Sequence, residues 1–274
     1  MARPKNWLTN LAQTFYILSI LNACSGYAAE FAIRQIILTT GYTVGFREYA
    51  LRPTNLFKMN SAMNIYIEPA NCTLYRTGAT YSAKLQACAS IESLTKPGIA
   101  QNIALGELKF VVQENDTLLY ADLTLSGIGD LPIDLYKITI TLTDLKSQSQ
   151  TSISRKFRVG HSFIKAEITS QNQALGTNGK DSIVLLDRAT PVVYCNYSVR
   201  RILANSTLKA VLIEEAPAGP NQDRIIDSFT TNLSNQRQGS IEFHPEGSEW
   251  HPGIYRLELY LGGMYEHTLQ FRVE

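Results

Sequence analysis

The densest collection of groups that could do chemistry is the run His244-Pro245-Glu246-Gly247-Ser248-Glu249-Trp250-His251. Two imidazoles and two carboxylates so close together could reach one divalent ion, because zinc takes nitrogen and oxygen ligands of this kind. A metal held there would make the chain a metal-dependent hydrolase. The spacing of His244, Glu246, Glu249 and His251 matches no structural zinc pattern, however, and Pro245 and Gly247 mark a loop. A tight site also draws a ligand or an orienting partner from another element. The competing expectation is a solvated loop, with its histidines and glutamates facing water and Trp250 covering one end of the fold. We expect the second arrangement, with no metal and no cofactor.

The remaining nucleophile and base candidates are scattered. His161 and His267 stand far along the chain from any nucleophile, and neither Ser198 nor Ser240 lies in a Gly-x-Ser-x-Gly turn. Cys195 alternates with Val193, Tyr197 and Val199, an apolar setting that raises a thiol's pKa and makes it a poor nucleophile. Ser126-Gly127-Ile128-Gly129-Asp130 follows a strand but opens another strand, not the helix a phosphate loop requires, and reads as a plain turn. No catalytic residue is expected, and the chain is expected not to be an enzyme. With 25 Lys+Arg against 24 Asp+Glu the formal net charge is +1, and no basic run stands out, so nucleic acid is not an expected partner.

The elements that must carry these residues read as β throughout. Residues 255–261 alternate Tyr255, Leu257, Leu259 with Arg256 and Glu258, then a Gly262-Gly263 turn leads into a strand ending Phe271-Arg272-Val273. Such alternation with a two-glycine link is the signature of a closing hairpin. An earlier copy runs from Tyr136 through Ile138, Ile140 and Leu142 to Phe157-Arg158-Val159. Residues 63–67 and 81–91 alternate in the same way, and outside the N-terminal segment no apolar pattern keeps a helical period. About seven strands are expected before residue 160, with short strands after it at 163–168, 183–186, 192–199, 208–213, 225–231 and 240–243. Two copies of the hairpin imply two domains, 30–159 and 160–274, meeting at Gly160-His161-Ser162.

Residues 1–29 have the layout of a secretory signal peptide. Arg3 and Lys5 precede an apolar core at 15–21 too short to span a bilayer, and small residues follow up to Ala28-Ala29. Leu21-Asn22-Ala23-Cys24 resembles a bacterial lipobox, so cleavage after Ala28 or Ala29 and lipidation at Cys24 are both open. Export permits disulfides. If residues 63–74 and 80–91 formed one hairpin, though, Cys72 and Cys88 would be offset by about five residues, roughly 16 Å, too far to bridge. Sequons occur at Asn71, Asn115, Asn196, Asn205 and Asn232.

Tyr136 and Tyr255 each open the penultimate strand after a turn containing proline, where immunoglobulin-like sandwiches keep a tyrosine-corner residue. The two halves therefore resemble tandem immunoglobulin-like β-sandwiches, and the first half is similar to a domain of uncharacterised exported bacterial proteins. Antibody domains place a Cys two residues later, where this chain has Ile138 and Leu257, so Cys195 lacks the usual partner. The resemblance implies a non-catalytic binding or structural module of a bacterial cell envelope, periplasmic or tethered to the outer membrane. Its partner would be a protein or another envelope component, and Cys24 its only membrane contact. The alternatives are the hydrolase above and a two-domain chaperone of the pilus-assembly kind. The chaperone would need a basic pair in an interdomain cleft, for which Arg200-Arg201 is the candidate.

Overall fold

The computed structural model describes residues 30–59, 61–113, 118–170, 184–200, 206–215, 223–233 and 237–274. Residues 1–29, read as a signal peptide and including Cys24, lie outside the described residues, as do Arg201 and the sequons at Asn115 and Asn205. The first part of the fold holds β1 (Ala32–Thr39), β2 (Leu56–Phe57), β3 (Met63–Ala70), β4 (Tyr75–Thr77), β5 (Thr80–Ser93), β6 (Ala100–Gln113), β7 (Ala121–Leu125), β8 (Asp134–Asp144) and β9 (Gln150–Val159). The second holds β10 (Ile164–Ser170), β11 (Val184–Leu186), β12 (Val193–Val199), β13 (Thr207–Glu214), β14 (Arg224–Asn232), β15 (Gln238–Phe243), β16 (Gly253–Leu261) and β17 (Met264–Val273). The segment at 126–130, read as a plain turn, contains one turn of 3-10 helix at Ile128–Asp130.

The same topology occurs twice. In the first half a sheet β1-β3-β7 opposes a sheet β2-β9-β8-β5, with β4 and β6 both pairing β5. In the second half β10-β12-β15 opposes β11-β17-β16-β13-β14. In each, one short strand runs parallel to the last strand, β2 on β9 and β11 on β17, while every other pairing is antiparallel. The chain is all-β, two tandem immunoglobulin-like sandwiches, each with its own hydrophobic core.

The alternation that marked the strands also fills these cores. Ile138, Ile140 and Leu142 of β8, and Leu85, Ala87, Ala89 and Ile91 of β5, point into the first. Tyr255, Leu257 and Leu259 of β16 point into the second. At the hairpin between β16 and β17, Gly262 and Gly263 take φ of 57° and 80° with Leu261 paired to Met264, the two positive φ angles that a tight hairpin needs.

Two expectations fail. Among the described residues nine strands, rather than about seven, precede residue 160, because β2 and β4 are too short to show a period. Residues 63–74 and 80–91 form no common hairpin either: β3 pairs β1 and β7, whereas β5 pairs β4, β6 and β8. Asn71, at φ 57°, helps turn the chain from one sheet to the other, and the only hairpin here links the three residues of β4 to the start of β5. Cys72, Cys88 and Cys195 are unbridged.

The chain leaves the first sandwich at Gly160, whose φ is 102°. A Cβ there would lie 2.6 Å from Ile133 Cγ2, so both backbone conformation and space demand glycine. Gly160→Ala is expected to lower stability by about 1–3 kcal/mol, read as a fall in thermal midpoint.

Candidate functional site

The two closing hairpins place equivalent residues in equivalent roles. Tyr136 pairs with Phe157 across β8 and β9, and Tyr255 with Phe271 across β16 and β17. Each tyrosine ring stacks on its phenylalanine, at 5.4 Å and 5.2 Å between centroids. Each hydroxyl donates to the carbonyl four residues before it: Tyr136 to Pro132 at 2.7 Å and Tyr255 to His251 at 2.9 Å. In each Phe-Arg-Val the phenylalanine and valine enter the core. The arginine between them turns toward the other sandwich. Arg158 donates to the carbonyls of Glu266 and Tyr265 at 2.8 and 3.0 Å, and Arg272 lies 5.1 Å from the centroid of the Tyr49 ring. The repeated motif thus serves the core and the joint together.

The joint is further fastened by the segment from Pro53 to Phe57. Its end pairs as β2 with β9, while Thr54 bridges to Leu269 of β17 and the Gln270 amide donates to the Pro53 carbonyl at 3.0 Å. Asn55 is buried between the two halves. Its amide nitrogen donates to the Lys156 carbonyl at 2.7 Å and to the Tyr265 hydroxyl, and its side-chain oxygen accepts from the Thr268 amide at 2.8 Å. On one side Tyr49, Leu51, Ile37 and Tyr66 pack around Ile254. Tyr49 and Leu51 belong to the 41–53 stretch, which covers the outer face of the β1-β3 pair and lets Glu68 be buried under Arg47, at 2.9 Å.

Deeper in the joint, Ser162, Glu266 and His267 come together. Ser162 Oγ donates to Glu266 Oε2 at 2.9 Å and lies 2.9 Å from His267 Nδ1, while the Phe163 amide donates to the same carboxylate oxygen. Sequence reasoning missed this grouping because 105 positions separate Ser162 from His267. It is not arranged as a nucleophile, base and orienting acid. The carboxylate bonds the serine rather than the imidazole, and the serine oxygen also accepts from the Ile164 amide at 3.0 Å.

Burial first, and repulsion from Arg158 second, push the His267 pKa down to about 4. The folded state thus keeps His267 neutral where an unfolded histidine, with a pKa near about 6.5, already binds a proton. Stability from this site is therefore complete above about pH 6.5 and lost as pH falls toward about 4, by roughly 2–3 kcal/mol. Thermal midpoints measured between these limits should fall on acidification, and His267→Gln should flatten that slope.

The loop first considered for a metal is divided among separate partners. Glu246 pairs with Arg224, Glu249 with Arg188 at 3.0 Å, and His244 lies 3.9 Å from Glu242. His251 faces both Arg224, at 3.2 Å, and Glu214, at 3.6 Å. Arg224 stands where a metal shared by Glu246 and His251 would have to be, and among the described residues no three His, Cys, Asp or Glu side chains are gathered for a metal. Trp250 is buried at the end of the second core, its indole donating to the Thr190 carbonyl at 2.8 Å. Cys195 is buried among Val193, Val199 and their neighbours, and burial pushes its thiol up to about 12.

A cavity of about 540 Å³ opens at the joint on the side of Ser162. Lys58, His161, Lys165 and Arg200 are exposed residues at its margin, Arg52 forms part of the wall, and no acidic residue lines it. Arg52 donates to the Leu56 carbonyl at 2.9 Å with its guanidinium 4.2 Å from the centroid of the Phe57 ring. Of the doublet read for an interdomain cleft, Arg200 borders this cavity and Arg201 lies outside the described residues.

No family model matches this chain, and no curated protein matches its sequence. Among solved structures it is similar to the native conformation of E. coli alpha-2-macroglobulin, at 12% identity and a TM-score of 0.31, covering 88% of this chain and 16% of that one. A Salmonella alpha-2-macroglobulin reacted with methylamine aligns at 11% identity and TM-score 0.30 over 88% of this chain and 16% of its own. Red sea bream transglutaminase aligns at 10% identity and TM-score 0.26, over 88% of this chain and 31% of its own. The chain spans less than a third of the length of each.

Proposed function

We propose that this chain is a non-catalytic, exported binding or structural module of a bacterial cell envelope, in which two sandwiches fixed to one another present a shaped joint to a partner. The observation that carries the reading is the stitching of 53–57 to the last strands of both sandwiches, which holds the joint in one geometry. A joint so bonded is preorganised, and binding to it incurs little ordering cost. Export is supported by the signal-like layout of residues 1–29. The non-catalytic part is supported by how the reactive side chains are used. Glu246, Glu249 and His251 each face an arginine, His244 lies near Glu242, and the Ser162 hydroxyl sits inside a hydrogen-bonded cluster.

The test is site-specific photocrosslinking in the exporting host, with the crosslinker at Lys165 in the joint or at Glu242 on β15 of the second sandwich. Capture of one defined envelope protein supports the module. A protein that captures nothing from any exposed position, yet hydrolyses a substrate, would overturn it.

A further inference from the structure

We propose that the joint binds an extended, acidic polypeptide segment lying along the open edge of β10. This inference rests on the binding-module reading and adds to it the class of ligand. Charge supplies the first line of argument. The cavity gathers Lys58, Lys165 and Arg200 with no carboxylate in its lining, and among the described residues none of the three has an ion-pair partner. Three arginines elsewhere in the joint are matched by carboxylates: Arg155 lies 3.8 Å from Glu215, Arg158 3.6 Å from Glu266, and Arg256 2.7 Å from Asp223. A concave site with one sign of charge and low-dielectric walls concentrates an oppositely charged ligand.

Backbone supplies the second. β10 ends its sheet, whose order is β10-β12-β15, so one margin of the strand has no strand beside it among the described residues. Ile164, Lys165 and Ala166, three consecutive residues of β10, line the cavity. A strand seen face-on would contribute alternate residues, so the cavity meets the margin of β10 rather than a face. An open strand margin offers N–H and C=O groups to an incoming extended chain. Leu56 and Leu269, which also line the cavity, offer apolar contact to the side chains that alternate with the acidic ones. A small phosphate would use the cations and leave the margin unused, which is why a peptide is the ligand inferred.

The test uses the purified full chain and a fluorescent decapeptide of alternating Glu and Val, followed by anisotropy. Binding should saturate, weaken as salt screens the charges, and fall about tenfold or more in Lys165→Glu/Arg200→Glu, a loss readily resolved as a change in Kd. A Lys-Val peptide should not bind. The Glu-Val peptide methylated on alternate backbone nitrogens should lose binding, and tripolyphosphate should compete weakly. Both substituted side chains are exposed, so the fold is preserved, which a thermal melt verifies.

The proposal is overturned if the double charge reversal leaves affinity unchanged or if the methylated peptide binds as well as the parent. Tripolyphosphate binding as tightly as the peptide would also overturn it, by showing a charge sink without strand recognition. If photocrosslinking still captures a partner while the charge reversal affects neither peptide nor partner, the joint is not the site and the module reading survives. If no partner is captured from any position, the module reading itself fails.

Discussion

Tyr255→Ala should destabilise the protein by about 3–5 kcal/mol, the range for deleting a large aromatic ring from a packed core. The ring is 1% exposed, stacked on Phe271 and set edge-on to Trp250 at 5.5 Å, so its removal leaves a cavity that three elements would have to collapse to fill. Tyr255→Phe keeps the stack and loses only the bond to the His251 carbonyl, for about 1 kcal/mol. Tyr136 occupies the matching place against Phe157, so Tyr136→Ala and Tyr136→Phe should reproduce the same pair of values. Denaturant midpoints for the four variants check this. A Tyr255→Ala protein as stable as the parent would remove the structural equivalence of the two hairpins.

Glu266→Ala should have an effect of similar size for a different reason. The carboxylate is 2% exposed, accepts from Ser162 and the Phe163 amide, and faces Arg158 at 3.6 Å. Removing one member of a buried ion pair leaves the other charge uncompensated, which costs about 3–5 kcal/mol. The loss falls on the joint rather than on either core, so calorimetry is expected to show one unfolding transition in the parent and a broadened or split one in the variant. Arg158→Ala should act in the same sense. Because both variants disrupt one network, the double variant should cost less than the sum of the two.

How much of this was legible in the sequence depends on the range of the interaction. Side-chain alternation is local, so Tyr255, Leu257 and Leu259 announced β16, and Gly262-Gly263 announced its turn. The two tyrosines were legible as a pair because each stands beside its own proline-containing turn. The joint was not, since Asn55 meets Thr268 across 213 positions and Ser162 meets His267 across 105, and neither carries a periodic signal. The 41–53 stretch looked irregular because its residues follow no strand period while they cover a sheet. The interdomain cavity was hidden for a related reason. A net charge of +1 averages over the chain, whereas Lys58 of the first sandwich joins Lys165 and Arg200 of the second only when the sandwiches meet. Arg224 was likewise unforeseen as the residue that divides the His244 to His251 loop, although a basic residue on an adjacent strand was the one signal available.

The central claim is that the two sandwiches are held in one fixed geometry by the joint. Spin labels at Cys88, exposed on the first sandwich, and at Glu242→Cys, exposed on the second, in a Cys72→Ser background, would report their separation by pulsed dipolar spectroscopy. A single narrow distance distribution that broadens in Glu266→Ala is the expected result, whereas a broad distribution in the parent, unchanged by Glu266→Ala, would contradict the account.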